Sequence, residues 1–175
     1  RITRAHTNVL HELDGQPATS VYEEYFGRDL MTQMQQTGFT RQRIAYPLGM
    51  RGETTDQWLL RNVVAFQADG SLSCSGERLE GAWLQLMIGS RELALEAARQ
   101  AAQDAIRPLH AVAAVLVFDS AARRTLLGER GAAEEVACIR HIIGSSVPVI
   151  GCYTYGEQAP LRTSAIAGRT TIQTG

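Results

Sequence analysis

No run of like charge, no long apolar stretch and no cysteine framework occurs in this chain, and each absence removes a class of protein. Lysine and arginine total 17 against 18 acidic residues, a formal net charge of −1. So balanced a surface lacks the basic footprint that nucleic acid or an anionic membrane requires, and neither is expected as a partner. No apolar run approaches the roughly 18 residues of a spanning helix, and the N-terminus has no basic-then-apolar leader pattern. Cys74, Cys138 and Cys152 are odd in number and widely spaced, which suits neither a disulfide scaffold nor a zinc site. Reduced thiols in a cytoplasmic protein are the expectation. His6, His11, His110 and His141 show no metal-ligand spacing, so no metal is expected. There is no Walker or dinucleotide glycine loop, no low-complexity segment, and no internal repeat with a period of roughly 20 to 50 residues.

What remains is a chain of 175 residues, 45% hydrophobic, with enough apolar side chains for its own core. It begins at Arg1 directly in a strand-like run, as a piece cut from a longer protein would. Two divisions are open: one domain throughout, or strand and helices over 1–38 that contact an upstream segment, followed by a domain over 39–175.

Periodicity supplies the elements. Residues 2–13 alternate weakly as an edge strand or strand pair and close on Asp14-Gly15. Pro17, then Val21, Tyr22, Tyr25 and Phe26, then Gly27, describe a short amphipathic helix, with Leu30, Met31 and Met34 as a second one reaching Gly38. Residues 44–50 read as an edge strand because of Pro47. Leu59 to Phe66 read as one strand, Asp69-Gly70 as a tight turn, Leu72 to Cys74 as the return, and Ala82 to Ile88 as a third strand of the same meander. Ser90 caps a helix that stops at Pro108, with an alanine face (Ala94, Ala98, Ala102, Ala105) suited to close packing on a sheet. The run AVAAVLVF (Ala111–Phe118) reads as a central strand buried on both faces, Arg130–Ile143 as a helix ending at Gly144, and 165–173 as a last strand. Clustered hairpins followed by interleaved helices specify an α+β fold, a largely antiparallel sheet with helices packed on it.

The densest chemistry lies in VPVIGCYTYGEQAPL (Val147–Leu161), where an apolar strand runs into a polar and aromatic turn. Tyr153, Thr154, Tyr155 and Glu157 supply hydroxyls, a carboxylate and stacking surface, as a small-ligand pocket does. Tyr153 and Tyr155 alternate, so one faces inward and the other outward. Ser120, Arg123 and Arg124 follow the end of the apolar strand. They either meet a carboxylate or phosphate on a ligand, or cap the next turn and lie on the surface. Glu157 orients a ligand amine, pairs with Arg124 or is solvated. Arg61 and Asn62, polar inside an apolar strand, each need a partner if buried. Cys152 has no base in a recognisable pattern and reads as a small hydrophobe. No catalytic constellation emerges, so a non-enzymatic binding domain is expected.

Four segments in order, GQPATSVYEEYFG (Gly15–Gly27), WLLRNVVAFQADGSLSCSGERLEGA (Trp58–Ala82), FDSAARRTLLG (Phe118–Gly128) and PVIGCYTYGEQAP (Pro148–Pro160), resemble the C-terminal half of the FIST sensory domain. The resemblance implies an intracellular signal-transduction sensor for a small ligand, an amino acid or related metabolite. It further implies a FIST N-terminal half ahead of Arg1 and a downstream signalling output as partners; haem enters only because some relatives are nitric oxide sensors. Carried over by motif, the signature positions are Arg61, Asn62, Arg123, Tyr153, Thr154, Tyr155, Gly156 and Glu157. Ser120 stands where the family often has cysteine, and Gly168 and Arg169 stand where it usually has an aromatic residue and a His-Asn pair.

Overall fold

The structure is a computed structural model that describes residues 1–36, 41–51, 58–76, 80–160 and 172–174. Gly38, Gln57, Arg78, Gly168, Arg169 and most of the expected strand over 165–173 lie outside the described residues. The fold is α+β with mostly antiparallel sheets, as the sequence pattern requires. The chain divides into two compact units, one comprising 1–88 with 158–175 and the other 89–157.

In the first unit β1 (Ile2–His6) and β2 (Val9–Leu13) form a hairpin, with Thr7 at φ 46° in its turn. His6 and His11 therefore sit on two strands and not on one. β3 (Gln16–Pro17) adds to β2, and α1 (Ser20–Gln36) is two helical segments broken at Gly27, whose φ 73° and ψ 167° suit glycine alone. After α2 (Arg41–Ile44) comes β4 (Leu48–Arg51), which is the centre of a three-stranded sheet and not an edge. Pro47 precedes that strand, so its missing N–H costs the ladder nothing, and its carbonyl accepts from Met87 N at 2.8 Å.

The stretch read as one strand is two: β5 (Leu59–Arg61) pairs with β4, and β6 (Val63–Phe66) with β7 (Leu72–Cys74). Asn62 is the hand-over point, its backbone tied to Ser75 on both sides at 3.0 and 2.9 Å. The β6–β7 hairpin forms at Asp69-Gly70 as expected, with Gly70 at φ 82°. β8 (Trp83–Leu86) pairs with β4 and not with β7, because Gly81 N and Ala82 O are engaged by Ile2 and lead the chain away from the hairpin.

The core of this unit gathers Ile2, Leu10, Tyr22, Met34, Leu48 and Leu72. Buried among it, Arg43 donates to the carbonyls of Met34 (2.6 Å), Val64 (2.9 Å) and Gln35 (3.3 Å) and lies over the Phe66 ring. Burial lowers the Arg43 pKa from its usual value.

The second unit is built differently. Ser90 caps α3 (Arg91–Ile106) by accepting from Leu93 N at 3.1 Å. Then β9 (Val115–Ser120), α4 (Ala121–Ile143) and β10 (Val149–Thr154) form a strand–helix–strand crossover whose two strands are parallel. α4 is broken at Gly128 (φ 68°, ψ 177°) and ends at Gly144. β9 is neither central nor buried on both faces: among the described residues it pairs with β10 alone, and Leu116 and Phe118 are 67% and 66% exposed. α3 packs on α4, with Arg91 paired to Glu134, and its alanines line a cavity together with β9. β11 (Gln158–Pro160) and β12 (Ile172–Thr174) make a separate antiparallel pair assigned to the first unit.

Candidate ligand-binding site

The parallel register of β9 and β10 sets Tyr153 beside Asp119 and Thr154 beside Ser120, so both strands end at one rim of the second unit. A parallel pair needs a crossover, and α4 provides it, starting one residue after Asp119-Ser120 and returning its second half over the same strands. Six of the nine expected site residues are on or next to this rim: Ser120, Arg123, Arg124, Tyr153, Thr154 and Glu157.

Ser120 Oγ accepts from Ala122 N at 3.2 Å and caps α4. Asp119 Oδ1 accepts from Ser120 N at 2.8 Å and pairs with Arg123 Nε at 3.0 Å. Arg123 is half-buried and paired: its Nη2 donates to the Ala94 carbonyl at 2.7 Å and to the carboxylate of Glu135. The Arg124 guanidinium lies 5.3 Å from the centre of the Tyr153 ring, in cation–π contact. Thr154 Oγ1 has two acceptors for its one proton, the Asp119 carbonyl at 3.3 Å and the Glu157 carboxylate. Glu157 and Arg124 thus each take another partner. Tyr153 is half-buried, whereas Tyr155 is 92% exposed beyond the end of the strand.

Arg61 and Asn62 belong to the first unit. Arg61 is buried there, with Nη1 donating to the Leu60 carbonyl at 3.0 Å.

Glu135 is the residue that the sequence reading passed over. It is 1% exposed, and its Oε2 has no hydrogen-bond partner among the described residues. Burial and the neighbouring Asp119 carboxyl, opposed by Arg123, push its pKa up to about 7. Burial, with the charges of Glu135 and Asp119, also raises the Tyr153 hydroxyl. A signal was present: Glu135 falls within the apolar stripe Ala132, Val136, Ile139, Ile143 read on one side of the helix, where a carboxylate is out of place.

Two cavities meet at this carboxylate. One, of about 450 Å³, runs between α3, β9 and α4, walled by Ala98, Ala102, Val115, Val117 and Ile139, with Asp119, Arg123 and Glu135 as its polar side chains. The other, of about 240 Å³, lies between β9, α4 and β10 and includes Asp119, Glu135, Cys152 and Tyr153. Such walls, apolar with a few convergent polar groups, are those of a small-molecule site.

Haem does not fit them. The larger cavity has no His, Cys, Met or Tyr to serve as axial ligand, and the smaller, which has Cys152 and Tyr153, falls below the roughly 300 Å³ at which ligand pockets begin. No group of His, Cys, Asp and Glu among the described residues is arranged for a metal ion, and no described helix is long and apolar enough to cross a membrane.

Among known families, the model of the FIST C domain matches residues 18–160. No curated protein and no solved structure matches the chain.

Proposed function

The chain belongs to the FIST C domain family, a signal-transduction sensor-type domain, and from that premise we propose that its second unit is a non-enzymatic receptor for a small metabolite, an amino acid or a related compound. One observation carries this reading. The in-register ends of β9 and β10 gather Asp119, Ser120, Arg123 and Arg124 with Tyr153, Thr154 and Glu157 above a cavity of about 450 Å³. Ligands of open parallel sheets bind outside the carboxyl ends of the strands, where this rim lies. The chemistry favours binding over turnover. Ser120 Oγ is taken up by its helix cap, Arg123 serves Asp119, Glu135 and the Ala94 carbonyl, and no hydrogen bond ties Cys152 to either carboxylate of its cavity. The ligand is sensed inside the cell, and its occupancy is passed to signalling partners.

The test is thermal unfolding of the intact chain against the twenty amino acids and common metabolites. A binder raises stability by RT ln(1 + [L]/Kd), about 2.7 kcal/mol at one hundred times Kd. A complete absence of stabilisation across the panel contradicts the reading.

A second reading is favoured by the outer face of the β9–β10 pair, where Leu116, Phe118 and Ile150 are 67%, 66% and 68% exposed. That apolar face suits packing against the FIST N-terminal half. Leu116→Glu and Phe118→Glu then abolish association with a separately produced N-terminal half, and unchanged association contradicts it.

A further inference from the structure

Asp119, Arg123 and Glu135 form a triad whose formal charge is −1 when all three are ionised, at the polar end of an otherwise apolar cavity. Burying a net charge is costly unless a counter-ion reaches it. Arg123 carries a single positive charge, and its Nε and Nη2 serve Asp119, Glu135 and the Ala94 carbonyl. Glu135 is part of the cavity lining, and its Oε2, closed to solvent, has no protein donor among the described residues; a proton on Glu135 is shared with the Asp119 carboxyl. The groups facing it are the Asp119 carboxyl from β9, the Arg123 guanidinium from its own helix and Tyr153 from β10; α3 contributes alanines and Ile106 to the cavity wall.

We propose that this cavity binds a small molecule with one ammonium head and a short apolar body, the head donating to Glu135 Oε2 and the body lying along Ala98, Ala102, Val117 and Ile139. The assignment rests on the sensor reading above and names the class of its ligand. A free α-carboxylate beside that head would meet the carboxylates of Asp119 and Glu135, and the Nε and Nη2 of Arg123 already serve them. Among the metabolites of the sensor reading, the charge balance therefore selects a related amine, one without a carboxylate at its head.

The same charge balance couples binding to a proton. In the empty cavity the missing positive charge is a proton on Glu135, held up to about pH 7. An ammonium group replaces it, so each binding event releases one proton to solvent. Affinity rises about tenfold per pH unit on the acid side of that value and levels above it, until the amine itself loses its charge near the ordinary range of about 10.

The experiment is isothermal titration of the intact chain with n-butylamine, isoamylamine and phenethylamine, beside n-butanol, butyrate and leucine. It is run in two buffers of different ionisation enthalpy, so that protons released are counted. The expected result is binding of the amines alone, with close to one proton released at about pH 6. Glu135→Gln weakens the amines at least tenfold and abolishes the proton release. Ala102→Leu fills the cavity without altering its charge and also blocks binding, which keeps the test decisive if Glu135→Gln does not fold. Binding of leucine with none of the amines overturns the assignment and leaves the sensor reading intact. Amine binding without proton release, or unaltered by both substitutions, overturns it as well. Silence from every probe overturns the assignment, and the metabolite panel then decides the sensor reading separately.

Discussion

At the scale of single residues, Glu135 sets the strongest constraint. Its carboxyl is 1% exposed and answers to one guanidinium, so it keeps a proton to a pH well above that of an unfolded glutamate. Folding consequently takes up a proton between pH 4.5 and about 7. Stability falls as pH rises through that window, by an amount on the order of 3 kcal/mol, and this group contributes no slope below it. Urea unfolding of the intact chain across the window, compared with Glu135→Gln, reads this directly: the wild-type midpoint declines with pH and the variant's declines less. Parallel curves contradict the raised pKa.

Arg43 is the matching constraint in the first unit. Arg43→Met leaves the Met34, Val64 and Gln35 carbonyls without their donor and lowers stability by about 3 kcal/mol, measured by the same unfolding. Ser120, Tyr153, Thr154 and Glu157 were legible because their polarity stands out at the ends of apolar strands. Glu135 and Arg43 were not, since a charge that is buried and paired looks in the text like any other charge on a helix. Its partners are fixed by tertiary packing: Arg123 is twelve residues from Glu135, and Val64 is twenty-one from Arg43.

At the scale of elements, the parallel pair β9–β10 depends on Gly151. A Cβ there would stand 2.5 Å from the Val117 carbonyl oxygen and 2.9 Å from the Val117 Cβ, and backbone cannot swing away as a flexible side chain can. Gly151→Ala therefore costs about 1–3 kcal/mol and weakens ligand binding at the rim that the two strands form together. Thermal unfolding checks the first effect; an unchanged midpoint would show that the strands spread without penalty.

Helix breaks were half legible. Gly27 was read as a stop and is one, with a second helical segment after it. Gly128 has almost the same conformation, but the segment before it, led by the Ser120 cap, was read as no more than a turn, because Ala121–Leu127 is short and its stripe changes side at the break. Strand partners were the least legible. The Asp69-Gly70 turn fixed β6 against β7 locally, whereas the choice of β4 by β8 is made through hydrogen bonds to Ile2, some eighty residues away.

At the scale of the whole molecule, a sensor must change its stability when its ligand arrives. In the intact chain, saturating ligand raises the unfolding temperature in proportion to the logarithm of its concentration, and Ala102→Leu removes that dependence while retaining the fold. The α+β class was legible, since hairpin signals come first and helix periodicity later. The parallel crossover of the second unit was not, because a continuous apolar run such as Ala111–Phe118 looks the same whether one face or both are covered.

The Glu135 carboxyl is the group proposed to exchange a proton for a ligand. Carbon-13 NMR of the chain labelled at glutamate side-chain carboxyls, followed as a function of pH and assigned with Glu135→Gln, observes that group alone. The predicted result is a Glu135 midpoint of about 7 in the free chain, falling by at least one unit when amine is added. A midpoint in the ordinary glutamate range of about 4.3, unmoved by any ligand, would contradict it.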